Sequence, residues 1–144
     1  MRYDGIAMIQ RMSHTPIFVL DQDSAYDFYV NKLGFQVKTD AKFGDDFRWL
    51  TVTPPGQPDL EITLMPIAPG TIWDQTTADT VRDLVRNGKM GAGVFGTSDI
   101  HKTYEDLTAK GVEFLQSPKE QFYGTEAIFK DDSGNWFSLT QQKR

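Results

Sequence analysis

The chain has 144 residues, room for one domain or for two half-domains too small to stand alone. Hydrophobic residues make up 39% and aromatic residues 12%, enough to bury a packed core, which excludes a disordered chain. The formal net charge is −5, the basic residues are scattered and cysteine is absent, so nucleic-acid and membrane-surface partners are disfavoured and disulfides, thiolate metal sites and cysteine nucleophiles are excluded.

At the N-terminus, MRYDGIAMIQRM lacks the apolar centre of a secretory signal. No apolar run approaches the roughly 18 residues needed to cross a bilayer, so a cytoplasmic location is the expectation. HTPIFVL (14–20) is rich in β-branched and aromatic residues and predicts a strand. DQDSAYDFYVNKLG then predicts a helix, capped by Asp21 or Asp23, with Ala25, Phe28, Tyr29 and Leu33 as its apolar stripe and Gly34 as its stop. FQVKTD, DFRWLTVT and DLEITLMP read as three further strands, separated by turns at Gly44-Asp45 and Pro54-Pro55-Gly56.

A connector follows over 67–89. IAPGTIWD reads as a loop. TTADTVRDLVRNG reads as a short amphipathic helix with Val81, Leu84 and Val85 inward and Gly88 as its stop. Trp73 in the loop either covers a pocket or anchors the loop on the core, and the second is the more ordinary role for a loop aromatic. GAGVFGT (91–97) is a strand, DIHKTYEDLTAKG a helix capped by Asp99, and VEFLQS, TEAIFKD and NWFSLTQ three strands, with a tight turn at Asp132-Ser133-Gly134. The order β-α-β-β-β thus occurs twice, over 12–66 and 90–142. Laying Asp21 on Asp99 brings Tyr26 onto Tyr104, Asp27 onto Glu105 and Lys32 onto Lys110, and a one-residue slip then brings Gly34 onto Gly111. A repeat of this kind signals repeated structural units.

With these residues in view, HTPIFVLDQDSAYDFYVNKLGF in the first module, and TAKGVEF and YGTEAIFKDDSGNWFSLTQ in the second, resemble the glyoxalase/bleomycin-resistance/extradiol dioxygenase (vicinal oxygen chelate) superfamily over residues 12–141. The resemblance implies one α+β domain of tandem βαβββ modules, each curved into a half-barrel, with paired half-barrels enclosing a small-molecule cavity. Two-module members usually complete that cavity by dimerising, which implies a homodimer. The superfamily spans glyoxalases, epimerases, dioxygenases, thiol transferases and metal-free proteins that sequester antibiotics, so the fold does not select the function. In its metal-using members the ligands come from the start of the first strand and from the last strand of each module. His14 and Glu61 match the first two positions, whereas the second module offers Ala92 or Gly93 and then Ser138.

Strand alternation divides the faces. Leu60, Ile62 and Leu64 go to the helix side, leaving Glu61, Thr63 and Met65 in the concavity; likewise Ile17 and Val19 turn inward, and His14, Pro16 and Phe18 face the cavity. Trp49 and Thr51, Trp136 and Ser138, and Glu126 and Ile128 fall on the cavity side as well, unless a bulge inverts a strand. His14, Glu61 and Glu126 are therefore the candidate catalytic residues. Phe18, Trp49, Tyr123, Trp136 and Ser138 are the candidate substrate-binding residues, each of which has plain core packing as its alternative. His14 and Glu61 are also the candidate ligands of one weakly held divalent ion (Ni, Mn, Fe or Zn), with Glu126 or a chelating substrate as the third donor. His101 reads as a solvated helix residue.

Two functions stand side by side. The first is a glyoxalase- or dioxygenase-like enzyme, a lyase or an oxygenase, acting on a small oxygenated metabolite through His14 and Glu61, with ordinary glyoxalase turnover expected to be weak. The second is a metal-free binding and resistance protein for an antibiotic or aromatic compound, stacked on Phe18, Trp49, Tyr123 and Trp136.

Overall fold

In the computed structural model, which describes residues 8–143, the elements run in the order β1 (His14–Val19), α1 (Gln22–Tyr26) with a π-helical continuation (Asp27–Lys32), β2 (Gln36–Phe43), β3 (Phe47–Thr53), β4 (Glu61–Pro66), α2 (Gln75–Arg86), β5 (Gly91–Gly96), α3 (Ile100–Ala109), β6 (Phe114–Gln121), β7 (Gly124–Lys130) and β8 (Trp136–Gln142). Residues 1–7, most of the stretch in which a signal-peptide centre was sought, lie outside the described residues. The βαβββ order is present twice. Each set of strands forms its own four-stranded sheet, ordered β1-β4-β3-β2 and β5-β8-β7-β6. In each, the first strand runs parallel to the last and the remaining pairs are antiparallel. Among the described residues no helix is long and apolar enough to cross a membrane.

Local chemistry explains the helix starts. Asp21, Asp74 and Asp99 each sit in extended backbone and accept from the amide three residues on, satisfying a donor that the first turn leaves free. The first helix departs from expectation. It changes to π geometry at Asp27, with the Leu33 amide donating to the Phe28 carbonyl 2.9 Å away. A π segment holds one residue more than an α turn, which accounts for the one-residue slip between Asp21–Gly34 and Asp99–Gly111. The widened turn keeps Phe28 and Tyr29 both buried. In α2 the buried stripe is Ala78 and Val85 with Val81 beside them, while Leu84 is 40% exposed. Expecting Leu84 inward was wrong: at about 100° per residue, Ala78, Val81 and Val85 cluster and Leu84 falls to the flank.

One core unites the modules. Ile17, Val19, Leu50, Val52, Ile62 and Leu64 from the first sheet meet Ala127, Phe129, Phe137 and Leu139 from the second, around Phe28, Tyr29, Ile100 and Leu107. The helix-facing sides of the two sheets therefore look toward each other, and their other faces look outward.

The fastening is polar and specific. The Asp131 carboxylate, in a residue 6% exposed, accepts from the amides of Ser133, Gly134 and Asn135 at 2.9 Å, from Asn135 Nδ2 at 3.0 Å and from Tyr29 Oη at 2.7 Å. Burial, and then the Asp131 charge, push the Tyr29 phenol well above its ordinary pKa. Ser133 Oγ accepts from the Leu20 amide, and Asn135 Nδ2 donates to the Phe18 carbonyl. Gly134 has φ +118°, and a Cβ there would stand 2.2 Å from the Val85 carbonyl oxygen, so no other residue fits this turn. Asp131, Ser133, Gly134 and Asn135 of the D-D-S-G-N run thus form a buried clasp between module two, β1 and α2, with Asp132 exposed, rather than only the tight turn expected.

Candidate functional site

The strands carrying the candidate residues, β1 with β4 and β7 with β8, keep unbroken register, so the expected facing of their side chains holds. Irregularities fall in β2, in β5 between Gly91 and Gly93, and in β6.

In module one, His14 is the register partner of Glu61. Its Nε2 lies 3.2 Å from Glu61 Oε2, and the two side chains are 40% and 22% exposed. The other carboxylate oxygen, Oε1, accepts from Thr51 Oγ1 at 2.8 Å, while Thr51 Oγ1 itself accepts from the Thr39 amide at 3.1 Å. His14 Nδ1 is 2.9 Å from Ser13 Oγ. Thr51 is fully buried, so the carboxylate is held from below by a fixed donor and met from the side by the imidazole. A carboxylate so oriented can receive a hydrogen-bond donor or cation, and the imidazole can exchange a proton.

Aromatic rings continue from this pair across the sheet. Ring centroids are 6.0 Å apart for His14 and Trp49, 6.1 Å for Trp49 and Phe47, and 6.3 Å for Phe47 and Phe43. Phe43 is 60% exposed. Sequence reasoning singled out Trp49 but missed the two phenylalanines. The signal was available: Phe47 shares Trp49's parity, and the Gly44-Asp45 turn pairs Phe43 with Phe47. Phe18 lies further along β1, packed on Trp73 at a centroid distance of 4.8 Å. With Met65, Ile72 and the 68–71 loop, these two line a cavity of about 260 Å³. Trp73 therefore both anchors its loop and borders a cavity, uniting two roles that the sequence set against each other.

In module two, Glu126 accepts from Ser138 Oγ and, at 2.6 Å, from Tyr123 Oη. These two donors, Ser138 first, hold the carboxyl below its usual range, and the contact raises the Tyr123 phenol. Glu126 is accordingly an ionised acceptor engaged by its own neighbours rather than a free base, and its cross-strand register partner is Lys119. Trp136 is half-buried, with its indole over Gly91: a Cβ on Gly91 would lie 2.5 Å from the nearest ring atom. The strand that could have offered a ligand in this module presents Gly91, Ala92 and Gly93, and an indole fills the space beside Gly91. His101 is exposed.

The chain does not bring its two half-sites together. No hydrogen bond or ring contact among the described residues links the His14–Glu61–Trp49 group to the Tyr123–Glu126–Ser138 group, and the shared core separates their faces. Nor does any group of three or more His, Asp or Glu side chains suited to a metal occur among the described residues. A cavity of about 600 Å³ elsewhere is walled by Asp21, Asp23, Asp40, Asp45 and Asp46. Its Arg48 is already paired with Asp40 and Asp23 at 2.8 and 2.6 Å, and Lys42 is the other cation in a lining that carries five aspartates, a balance that disfavours an anionic ligand.

Comparison with known proteins narrows the field. The family model described as Glyoxalase/Bleomycin resistance protein/Dioxygenase superfamily matches residues 11–139. An uncharacterized protein of Bacillus subtilis (strain 168), YurT, is 37% identical over 129 residues, covering 89% of this chain and 96% of its own. The crystal structure of UcmS2 superposes with a TM-score of 0.86 at 47% identity, covering 92% of this chain and 98% of that one. That of TnmS3, an antibiotic binding protein from Streptomyces sp. CB03234, superposes with a TM-score of 0.74 at 28% identity, covering 96% and 100%.

Proposed function

The chain belongs to the glyoxalase/bleomycin resistance protein/dioxygenase superfamily, and from that premise we propose that it is a metal-free binding protein for a planar aromatic small molecule of antibiotic type. The observation that carries this reading is the row Phe43–Phe47–Trp49–His14, an aromatic shelf on the concave face that ends at the Glu61 carboxylate. Rings laid side by side offer large apolar area and stacking partners, with one polar group to fix orientation. The likeness to TnmS3, an antibiotic binding protein, supports the same reading.

The donor set does not fit a resident catalytic metal. Such an ion ordinarily takes three protein ligands and a water; among the described residues His14 and Glu61 have no third ligand, and Glu126 is committed to Ser138 and Tyr123. Trp fluorescence titrated with planar aromatic compounds, with and without EDTA, tests the reading. Saturable quenching that ignores EDTA supports it; binding that requires added metal refutes it.

The outward-facing concave faces also support a homodimer, in which module two of a second copy covers module one. Exposed Phe43, Val94 and Leu115, at 60, 68 and 53%, are surface that such an assembly would shelter. Light scattering should then give twice the 16.3 kDa chain mass. A chain without cysteine is also suited to a reducing compartment such as the cytoplasm.

The His14–Glu61 contact favours a second reading, acid–base turnover of a small oxygenated metabolite in glyoxalase or dioxygenase style, with a weakly held Ni, Mn, Fe or Zn ion. Calorimetric titration with each ion decides. No binding at micromolar metal, together with ligand affinity unchanged in His14→Ala, removes that reading.

A further inference from the structure

Resting on the reading of the concave face as a ligand site, the geometry points to a two-pole ligand: we propose that the compound is elongated and polycyclic, with a hydrogen-bond donor or cation at one end and a bare aromatic ring at the other. His14 and Phe18 lie on the same face of β1, opposite Glu61 and Met65 of β4 in register. Four residues at about 3.3 Å of rise each separate the two ends by about 13 Å.

The poles differ in chemistry. At one end Glu61 is a fixed acceptor, its Oε1 held by Thr51 and its Oε2 beside His14. At the other, Phe18, Met65, Ile72 and Trp73 form an apolar cavity of about 260 Å³. The cavity is open to solvent on the side of exposed Ile72, so a terminal ring can enter it from the surface. Trp73 rests on Phe18, so the ring packs against the pair rather than between them. Pro16 and Thr63, paired in register between the poles, and Trp49 beside His14 leave a span that suits the flat middle of a fused-ring system.

Two tricyclic probes separate the poles: 3-aminoacridine, with an amine on one terminal ring and the other terminal ring bare, and acridine, which has no amine. In isothermal titration of the full chain, 3-aminoacridine is expected to bind at least tenfold more tightly than acridine. Glu61→Gln should shrink that gap to about twofold, and Trp73→Ala should weaken both probes about tenfold alike, with Trp73→Phe restoring most of the loss. Near-UV circular dichroism establishes that each variant is folded. Equal weakening of both probes by Glu61→Gln, or unchanged affinity in Trp73→Ala, overturns the two-pole assignment while leaving the binding face intact. Failure of both probes to bind the unmodified chain overturns the underlying reading instead.

Discussion

Replacing Asp131 with alanine should strongly destabilise the protein, although the residue touches no proposed ligand. Its carboxylate accepts from three backbone amides of the clasp and from the buried Tyr29 hydroxyl. Each donor stranded without water costs about 1–3 kcal/mol. The turn can relax and admit some water, so the low end applies to each of the four, and the sum is about 4 kcal/mol. That is a large part of the roughly 5–15 kcal/mol that holds a domain of this size. Tyr29→Phe, by contrast, removes donor and demand together, leaves Asp131 its other partners and should cost about 1 kcal/mol. The two changes should couple: with Asp131 gone the Tyr29 hydroxyl is an orphan, so Tyr29→Phe should cost nothing in that background or recover stability. Urea unfolding followed by Trp fluorescence and circular dichroism measures all four corners of the cycle. An Asp131→Ala cost below about 1 kcal/mol, or a Tyr29→Phe cost equal in both backgrounds, refutes the clasp as the fastening between modules.

Other consequences are simpler to check. Because Ser138 and Tyr123 lower the Glu126 pKa, its ionised form stabilises the fold above the ordinary carboxylate range, and that contribution fades as pH falls through the lowered value; Ser138→Ala and Tyr123→Phe should each raise the Glu126 midpoint in carboxyl-carbon NMR, and an unmoved midpoint contradicts the assignment. Gly91→Ala drives a methyl into the Trp136 indole and should cost about 1–3 kcal/mol as overpacking does, with a shifted Trp emission; wild-type stability and spectrum would show the contact to be slack. Arg48→Met should cost less than about 1 kcal/mol, because Asp23 is 88% exposed and Asp40 35%; a larger loss in urea unfolding would mark that ion pair as structural.

The duplicated module was legible because each level of the sequence repeats it: aspartate caps, helix stripe, stopping glycine and three strands. The facing of His14, Glu61, Trp49 and Thr51 was legible because β1 and β4 pair without a bulge, so period-two parity carries through to the structure. The π segment was not legible as such, since an extra residue in a helix appears in sequence only as a slip in the repeat. Leu84 was misplaced because it neighbours Val85 in sequence yet lies about 100° away around the helix. The partners of Glu126 escaped notice because Ser138 reaches it across the β7–β8 pairing and Tyr123 across the turn, and single-strand parity does not weigh hydroxyls against charges. Phe43 sits beyond a strand read too short, and Trp73, whose two roles were both legible, lies in a loop where periodicity could not choose between them. The clasp at Asp131 is a long-range arrangement joining residues about a hundred positions apart, and no local pattern encodes it.

Metal-free capture of a flat aromatic ligand on the first module's concave face is tested most directly by mapping amide and indole NMR shifts while 3-aminoacridine is titrated in EDTA. The account expects saturable shifts centred on the Trp49 indole, Thr51, Glu61 and Met65. Shifts confined to the acidic cavity around Asp40 and Asp45, or appearing only after a divalent ion is added, would contradict it.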